Sequence, residues 1–457
     1  MLHGWASIKV LAWLVAATCL LVACTEGTQT APPGAREDTR RTSQGPPQGP
    51  SRGAGSVAFG VIGEPATYDP YAALASDLTY ALVRPVYPSL YRLEPDGAAT
   101  PYLAKSMSST RKGAVVALRR ARWSNGAPIT AKDVVASIRR ARPPSGFALV
   151  TEAQADGRRK IRLSGRVNDW KQTLATVAFV LPRGRAGSGR VAGGPFMIEA
   201  RTPGLQVVYR PNPRWFGHAP ALKKVTVQFI QDLDILLELL ATERLDAGAP
   251  PLTVNLGGRL ESLGLASAGA LGWESVYLDL EGAELSASNR QAVVDGVDRD
   301  LLEAGFVRAG GRVSDTLHPA PGPSGAGGPW PGPTLAAPQP PAAPIQVAVG
   351  AGDELTELLQ RTLRLQLEDA GFSVELVTTD ALTFYGQWTA TDPMDIAIRR
   401  ASGAPGLVDT PAVLESRAAI PLLHVASFVT WNEGIEGPEP NPSFEGPLWN
   451  LELWSKQ

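Results

Sequence analysis

Side chains able to do covalent, metal or phosphate chemistry are sparse in this 457-residue chain, and their spacing builds no familiar reaction centre. Beyond the N-terminal 23 residues the histidines are His218, His318 and His424. None lies at a metal-ligand spacing from another histidine, a cysteine or a carboxylate cluster, so neither a bound metal nor another cofactor is expected. His424 sits in the apolar run Pro421-Leu-Leu-His-Val-Ala, where a buried and satisfied histidine is expected. There is no Gly-x-Ser-x-Gly, no His-Glu-x-x-His and no glycine-rich loop leading into Lys-Ser/Thr. The stretch Gly322-Pro-Ser-Gly-Ala-Gly-Gly fails the nucleophile-elbow pattern and stands in a proline-rich loop. Triads converge in space and not in sequence, so these absences only tilt the reading, from catalysis toward binding.

Binding needs a scaffold, and one stretch shows how sharply the elements are started. In 121–141, ARWSNGAPITAKDVVASIRRA, Asn125-Gly126 tolerates positive φ and marks a tight turn. Thr130-Ala-Lys-Asp133 has the form of a capping box. Val134, Val135 and Ile138 then give the helix one face to bury, and Arg139, Arg140 and Arg142 crowd its last turn, where cations suit the dipole.

Further strands are expected at Val57–Ile62, Val225–Ile230, Val276–Leu280, Ile345–Val349 and Ser373–Val377. Helices are expected over Asp232–Arg244, about Ser288–Ala304 and Glu354–Ala370, each with leucines or other apolar residues at helical spacing. Ile345–Val377 reads as a βαβ unit with parallel strands. Two groups of such units separated by the Pro/Gly/Ala-rich stretch 319–344 imply two α/β lobes. Residues 100–215 read differently, as an α+β insertion in the first lobe.

Lys+Arg number 43 and Asp+Glu 44, for a net charge of -1, which gives no footprint for nucleic acid. Arg119-Arg120 and Arg158-Arg159-Lys160 are short enough to be solvated surface. At the N-terminus Lys9 precedes an apolar run, Val10–Ala23, of signal-peptide length. From Thr25 to about Gly55 the chain is Pro, Gly, Ser, Thr, Gln and Arg, a composition that cannot bury enough surface to order itself. Only Cys19 and Cys24 occur, and Cys19 would leave with the signal, so no disulfide is expected in the mature chain.

Leu21-Val22-Ala23-Cys24 resembles the lipobox of bacterial lipoproteins, which implies acylation at Cys24 and a tether on the outer membrane face. The rest of the chain resembles the extracellular solute-binding proteins of family 5, the oligopeptide, dipeptide and nickel binders of ABC importers. The similarity rests on blocks in the family's order. They are Gly63-Glu-Pro-Ala-Thr-Tyr-Asp69-Pro70, Tyr87–Gly97 with Pro101-Tyr-Leu-Ala104, Leu118–Val134, Gly193-Gly-Pro-Phe196, Tyr209–Gly217, and Asn289–Ala292 with Asp298-Arg-Asp-Leu.

The resemblance implies a periplasmic-binding-protein-like α/β fold, two lobes around a cleft, with an α+β insertion subdomain in the first. It implies a signal peptide at 1–23, a lipid-anchored tether at 24–55, a first lobe at 56–282 with its insertion at about 80–190, a second lobe at 283–412, and a return to the first lobe at 413–457. The cleft residues it implies are Tyr71, Ser76 and Asp77, just after the Asp-Pro motif, with Asp77 able to pair a cationic ligand group. Asp69 is expected to brace a turn, and Trp123, Trp215 and Trp388 are candidate aromatic walls more often found in cores. Peptide-binding relatives anchor the ligand amine through Trp-x-x-Asp-Tyr. Here the matching run, Ala401–Pro411, has no Trp and carries Asp409 two residues away, which makes Asp409 the fourth ligand-binding residue that the resemblance implies.

The function implied is capture of a small solute or short peptide by cleft closure and its delivery to an ABC transporter permease, by a monomer lipid-anchored to the outside of the cell membrane. The competing readings are a surface sensor or interaction lipoprotein on a degenerate solute-binding fold and, behind it, a secreted hydrolase.

Overall fold

A computed structural model describes residues 55–457 apart from 73–74, 142–149, 168, 178, 185–188, 254, 281–284, 307–310, 314–342, 381–383, 385–394 and 403–418. The signal peptide, Cys24, almost all of the tether, nearly all of the 319–344 stretch, His318, Trp388 and Asp409 lie outside the described residues.

The chain enters on β1 (Ser56–Ile62), turns through the Asp-Pro motif and starts α1 (Asp77–Val83). A hairpin of β2 (Tyr91–Leu93) and β3 (Ala99–Pro101) leads to β4 (Ala104–Thr110) and β5 (Gly113–Leu118). Next come α2 (Ala131–Arg140), β6 (Val150–Asp156), β7 (Lys160–Gly165) and α3 (Trp170–Val177). Here β4-β5-β7-β6 form a separate four-stranded antiparallel sheet, as alternating burial along β7 and β5 requires of a sheet with one wet face.

The opening of α2 is built as its sequence requires. Gly126 has φ +88, Asn125 Oδ1 accepts from Ala127 N at 3.0 Å, and Asp133 Oδ2 accepts from Thr130 N at 2.8 Å and from its hydroxyl at 2.7 Å. Asp133 also takes the Arg183 Nε at 2.9 Å, and the Ser137 hydroxyl accepts from Leu181 N at 2.9 Å. The stretch is therefore a brace, joining α2 to the segment at 181–183.

The chain then runs through β8 (Phe196–Thr202), β9 (Gln206–Pro211), β10 (Lys224–Ile230), α4 (Leu233–Ala241), β11 (Ala247–Ala249) and α5 (Leu256–Ser262). Asp232 caps α4 by accepting from Ile235 N at 2.8 Å. After these come β12 (Ala266–Asp279), α6 (Ala287–Gly296), α7 (Arg299–Phe306) and β13 (Gly311–Val313). The single helix expected over 288–304 is thus two. The break falls at Val297-Asp298, where Asp298 Oδ1 accepts from Leu301 N at 2.9 Å and starts a new helix.

The last part holds β14 (Ile345–Gly350), α8 (Glu354–Asp369), β15 (Val374–Thr379), β16 (Ile396–Ser402), β17 (Ala419–Trp431), β18 (Ile435–Glu436) and β19 (Ser455–Lys456). Strands β14 and β15 pair parallel across α8, the expected βαβ unit.

One large sheet organises all this, in the order β15-β14-β16-β12-β17-β11-β1-β10-β9-β8, with β13 also on β17. Strands β8 and β9 belong to it, not to the insertion's sheet. Its middle is spanned by β12 and β17, of 14 and 13 residues, which pair antiparallel almost end to end. At one end β17 pairs β11, and at the other β12 pairs β16, so these two strands carry the sheet from one half to the other. Separate cores flank the crossing: Phe59, Tyr209, Val227 and Trp454 in the first half, Val276, Val347, Leu359 and Ile398 in the second.

Candidate functional site

A cavity of about 270 Å³ opens where the crossing strands meet the first half of the sheet. Six segments of the chain build it. The end of β1 gives Val61 and Ile62, the segment after β11 gives Pro250, Pro251 and Leu252, and β17 gives Ala426–Val429. The fourth is α1, whose Asp77, Leu78 and Ala81 face the return segment Asn441, Ser443, Phe444, Gly446 and Pro447. Most of the wall is apolar, as a small-molecule site is expected to be, with a few polar groups for orientation.

Asp77, expected in the cleft, lines this cavity. Ser76 is the N-cap of α1: its hydroxyl accepts from Thr79 N at 3.4 Å while Thr79 Oγ1 accepts from Ser76 N at 3.2 Å. It sets the first turn on which Asp77 stands. The Tyr71 hydroxyl donates to the Phe179 carbonyl at 2.6 Å, and its N–H is taken by Asp69 Oδ1 at 3.1 Å. Asp69 braces that turn and also meets Arg140 Nη2 at 2.5 Å. Tyr71 is thus engaged between the insertion and the first half, and neither it nor Ser76 lines the cavity. Burial pushes the Tyr80 hydroxyl up to about 12, with the negative charge of Asp77 adding to the effect.

Trp123 is 3% exposed in the insertion's core, and Trp215 packs on Tyr102 and Phe216 at ring-centre distances of 5.4 and 3.9 Å; neither lines the cavity. His424 is 1% exposed within β17 and has bonding partners, the core role its setting predicts. Among the described residues there is no group of three metal-ligating side chains, and no helix is long and apolar enough to cross a membrane.

Two features of the site escape sequence reading. The first is Glu274, which lines the cavity from β12. The register of β12 against β17 shifts between Leu271 and Glu274, and such a bulge re-aims the side chain that follows it. Glu274 Oε1 accepts from Arg400 Nε at 2.6 Å, and Arg400 Nη1 reaches Asp353 at 3.0 and 3.2 Å. Asp353 in turn caps α8 through Leu355 N and Thr356 N. A chain of charges therefore runs from the cavity wall to a helix of the second half.

The second is the pair Arg84 and Glu445, both buried. The Arg84 guanidinium also lies 4.1 Å from the ring centre of Phe179, and Glu445 Oε1 accepts from Leu93 N at 3.2 Å. Burial lowers the Arg84 pKa and raises that of Glu445, while each charge opposes the shift of the other. Next to it Asn441 donates to Leu93 O at 2.9 Å, and Ser443 donates to Asn441 Oδ1 at 2.6 Å. Such a buried network fixes the return segment against β2 and the end of α1.

Comparison with known proteins places this geometry. The family described as bacterial extracellular solute-binding proteins, family 5, middle part, matches residues 98–414. The oligopeptide-binding protein OppA of Mycobacterium bovis is 24% identical over 253 residues, 48% of this chain and 43% of its own. The chain thus spans less than half of that curated relative. Among solved structures, AppA of Bacillus subtilis, in complex with a nonapeptide, has TM-score 0.75 at 16% identity, covering 88% of this chain and 99% of its own. AgaA of A. tumefaciens R10, in complex with agropinic acid, has TM-score 0.73 at 15% identity, covering 88% and 98%. At such identities the likeness speaks for the fold, which is the expected periplasmic-binding-protein-like α/β fold. The family is one of binding proteins and not of enzymes, and with more than half of its length matched, this chain belongs to the bacterial extracellular solute-binding proteins of family 5.

Proposed function

We propose that this protein is the solute-binding lipoprotein of an ABC-type importer. Held outside the cell by a lipid on Cys24 and a tether of residues 24–55, it captures a small solute or short peptide and delivers it to the permease as a monomer. The observation that carries this reading is the position of the cavity. It lies beside β12 and β17, the two strands that cross between the halves of the large sheet. A solute held there touches the strand ends of one half and, through Glu274 and Arg400, the α8 end of the other. Closure of a lobe at 283–412 over a lobe at 56–282, hinged on the crossing strands, would select the bound state. Asp77 supplies a polar anchor on the first side, and Asp409 is its proposed counterpart on the second.

Native mass spectrometry of the full-length chain, before and after unfolding and refolding, tests the reading. A discrete extra mass lost on refolding is the expected result. A bare mass before refolding, with no solute from a peptide and metabolite panel raising the melting temperature, would overturn it.

A further inference from the structure

We propose that residues 250–253 form a strut that couples the cavity wall to the first turn of α8, so that pressure on the wall is felt in the second half; its use in closure rests on the solute-binding reading above. The chain leaves the first half of the sheet at β11, where Ala249 pairs with Val61 of β1, and comes back to it at α5, whose Leu256 and Leu260 share a core with Ala58, Leu236 and Leu240. Between these points it crosses over. Leu252 is 2% exposed in the core of the second half, together with Leu355 and Leu359 of α8. The hydroxyl of Thr253, also buried, donates to Glu354 Oε2 at 2.5 Å. Asn255 then turns the chain back with φ +61.

Ala249, Pro250, Pro251 and Leu252 all line the cavity, so whatever fills it touches the strut. Two successive prolines fix two φ values, which leaves the strut little freedom to absorb a push by bending. A second part of the wall reaches the same place. Glu274 is tied through Arg400 to Asp353, the residue next to Glu354, so two separate wall segments end on neighbouring side chains at the start of α8. That start is held by carboxylates: Asp353 Oδ1 accepts from Leu355 N and Thr356 N, and Glu357 Oε1 accepts from Gly352 N at 3.1 Å. A helix terminus whose orphan N–H groups depend on side-chain caps loosens when those caps shift, which makes the first turn of α8 responsive to the wall.

Hydrogen exchange in the full-length chain tests the strut with no solute added. Thr253→Val keeps the shape of a buried side chain and removes only the bond to Glu354, which is exposed and is not stranded by the change. Pro251→Gly loosens the strut at a wall position and leaves Thr253 and Glu354 in place. Each is expected to quicken exchange at the amides of Leu355, Thr356 and Glu357 by about threefold to tenfold, with α2 and α4 unchanged. The double variant is expected to match the single ones, since both act through one link. Unchanged exchange in Pro251→Gly, quickening that multiplies in the double variant, or equal quickening in α2 and α4 would each overturn the strut. Pro251→Ala, read by the same outcomes, replaces the glycine variant if that chain fails to fold. A bare mass in native mass spectrometry, with no panel solute stabilising the protein, would remove solute binding and leave the strut standing.

Discussion

The Glu445 carboxylate is ion-paired with the Arg84 guanidinium, the two side chains being 0% and 3% exposed. Glu445 stands between two cavity-wall residues, and Arg84 follows directly on the helix that supplies the facing wall. Neither charge has water to turn to, so each depends on the other, and the pair clamps two elements that are far apart in the chain.

Removing one partner leaves the other buried and unanswered. Glu445→Ala is expected to lower unfolding free energy by about 3 to 5 kcal/mol, whereas the apolar double change Arg84→Met with Glu445→Leu recovers most of the loss. Urea unfolding of the three proteins decides it. A double variant as unstable as the single one would show that the loss comes from packing and not from the stranded charge.

Gly446 has φ +71, and a Cβ there would meet the Ala81 Cβ at 2.8 Å. Gly446→Ala should therefore cost about 1 to 3 kcal/mol, from strain and from pushing α1 off the return segment. Adding Ala81→Gly relieves the clash but not the backbone strain, so thermal unfolding should show partial recovery.

Arg400→Met takes the guanidinium from both Glu274 and Asp353. The expected loss is about 1 to 3 kcal/mol. Because Asp353 caps α8, hydrogen exchange should quicken in the first turn of that helix more than elsewhere. Uniform quickening would point to a global loss instead.

Tyr80 keeps its proton more tightly when folded, its pKa being pushed from 10 up to about 12 by burial and then by Asp77. A raised folded-state value means that its contribution is complete below pH 10 and is lost as pH climbs through 12. Stability should therefore fall over that window, by up to about 1.4 kcal/mol per pH unit for each such group. Tyr68, likewise pushed to about 12, contributes in the same window. Tyr80→Phe should flatten part of the decline, seen by denaturant unfolding at a series of alkaline pH values; an unchanged profile would deny Tyr80 a share in it.

Much of the fold was legible because it is local. The spacing of Leu355, Leu359 and Leu363 announces α8, and the same residues are buried in the structure. Thr130 and Asp133 start α2 as their types require, and Asp232 starts α4. Where a local signal was overridden, the agent was also local but smaller. Apolar spacing carried a helix through 297–298, and the Asp298 cap divided it.

The site was legible only in part. Asp77 could be named from the block it follows, but nothing near Glu274 distinguishes it from other strand carboxylates. It enters the cavity because β12 slips register against β17, whose residues come far later in the chain. Tyr71 and Ser76 lie beside Asp77 in sequence, yet their hydroxyls serve a carbonyl and a helix cap.

Periodicity, caps and ordered motif blocks act over a few residues, so the order of amino acids sufficed to mark which segments become strands and helices, where most of them begin, and to which family the chain is related. The tertiary structure alone decided which charges face the cavity and which are neutralised. Asp77 and Glu274 are brought to one cavity, while Arg84 with Glu445, and Arg400 with both Glu274 and Asp353, are joined by chain crossings whose partners lie hundreds or tens of residues apart. Burial and pairing, which set the strength of a charge, exist only once those crossings have formed.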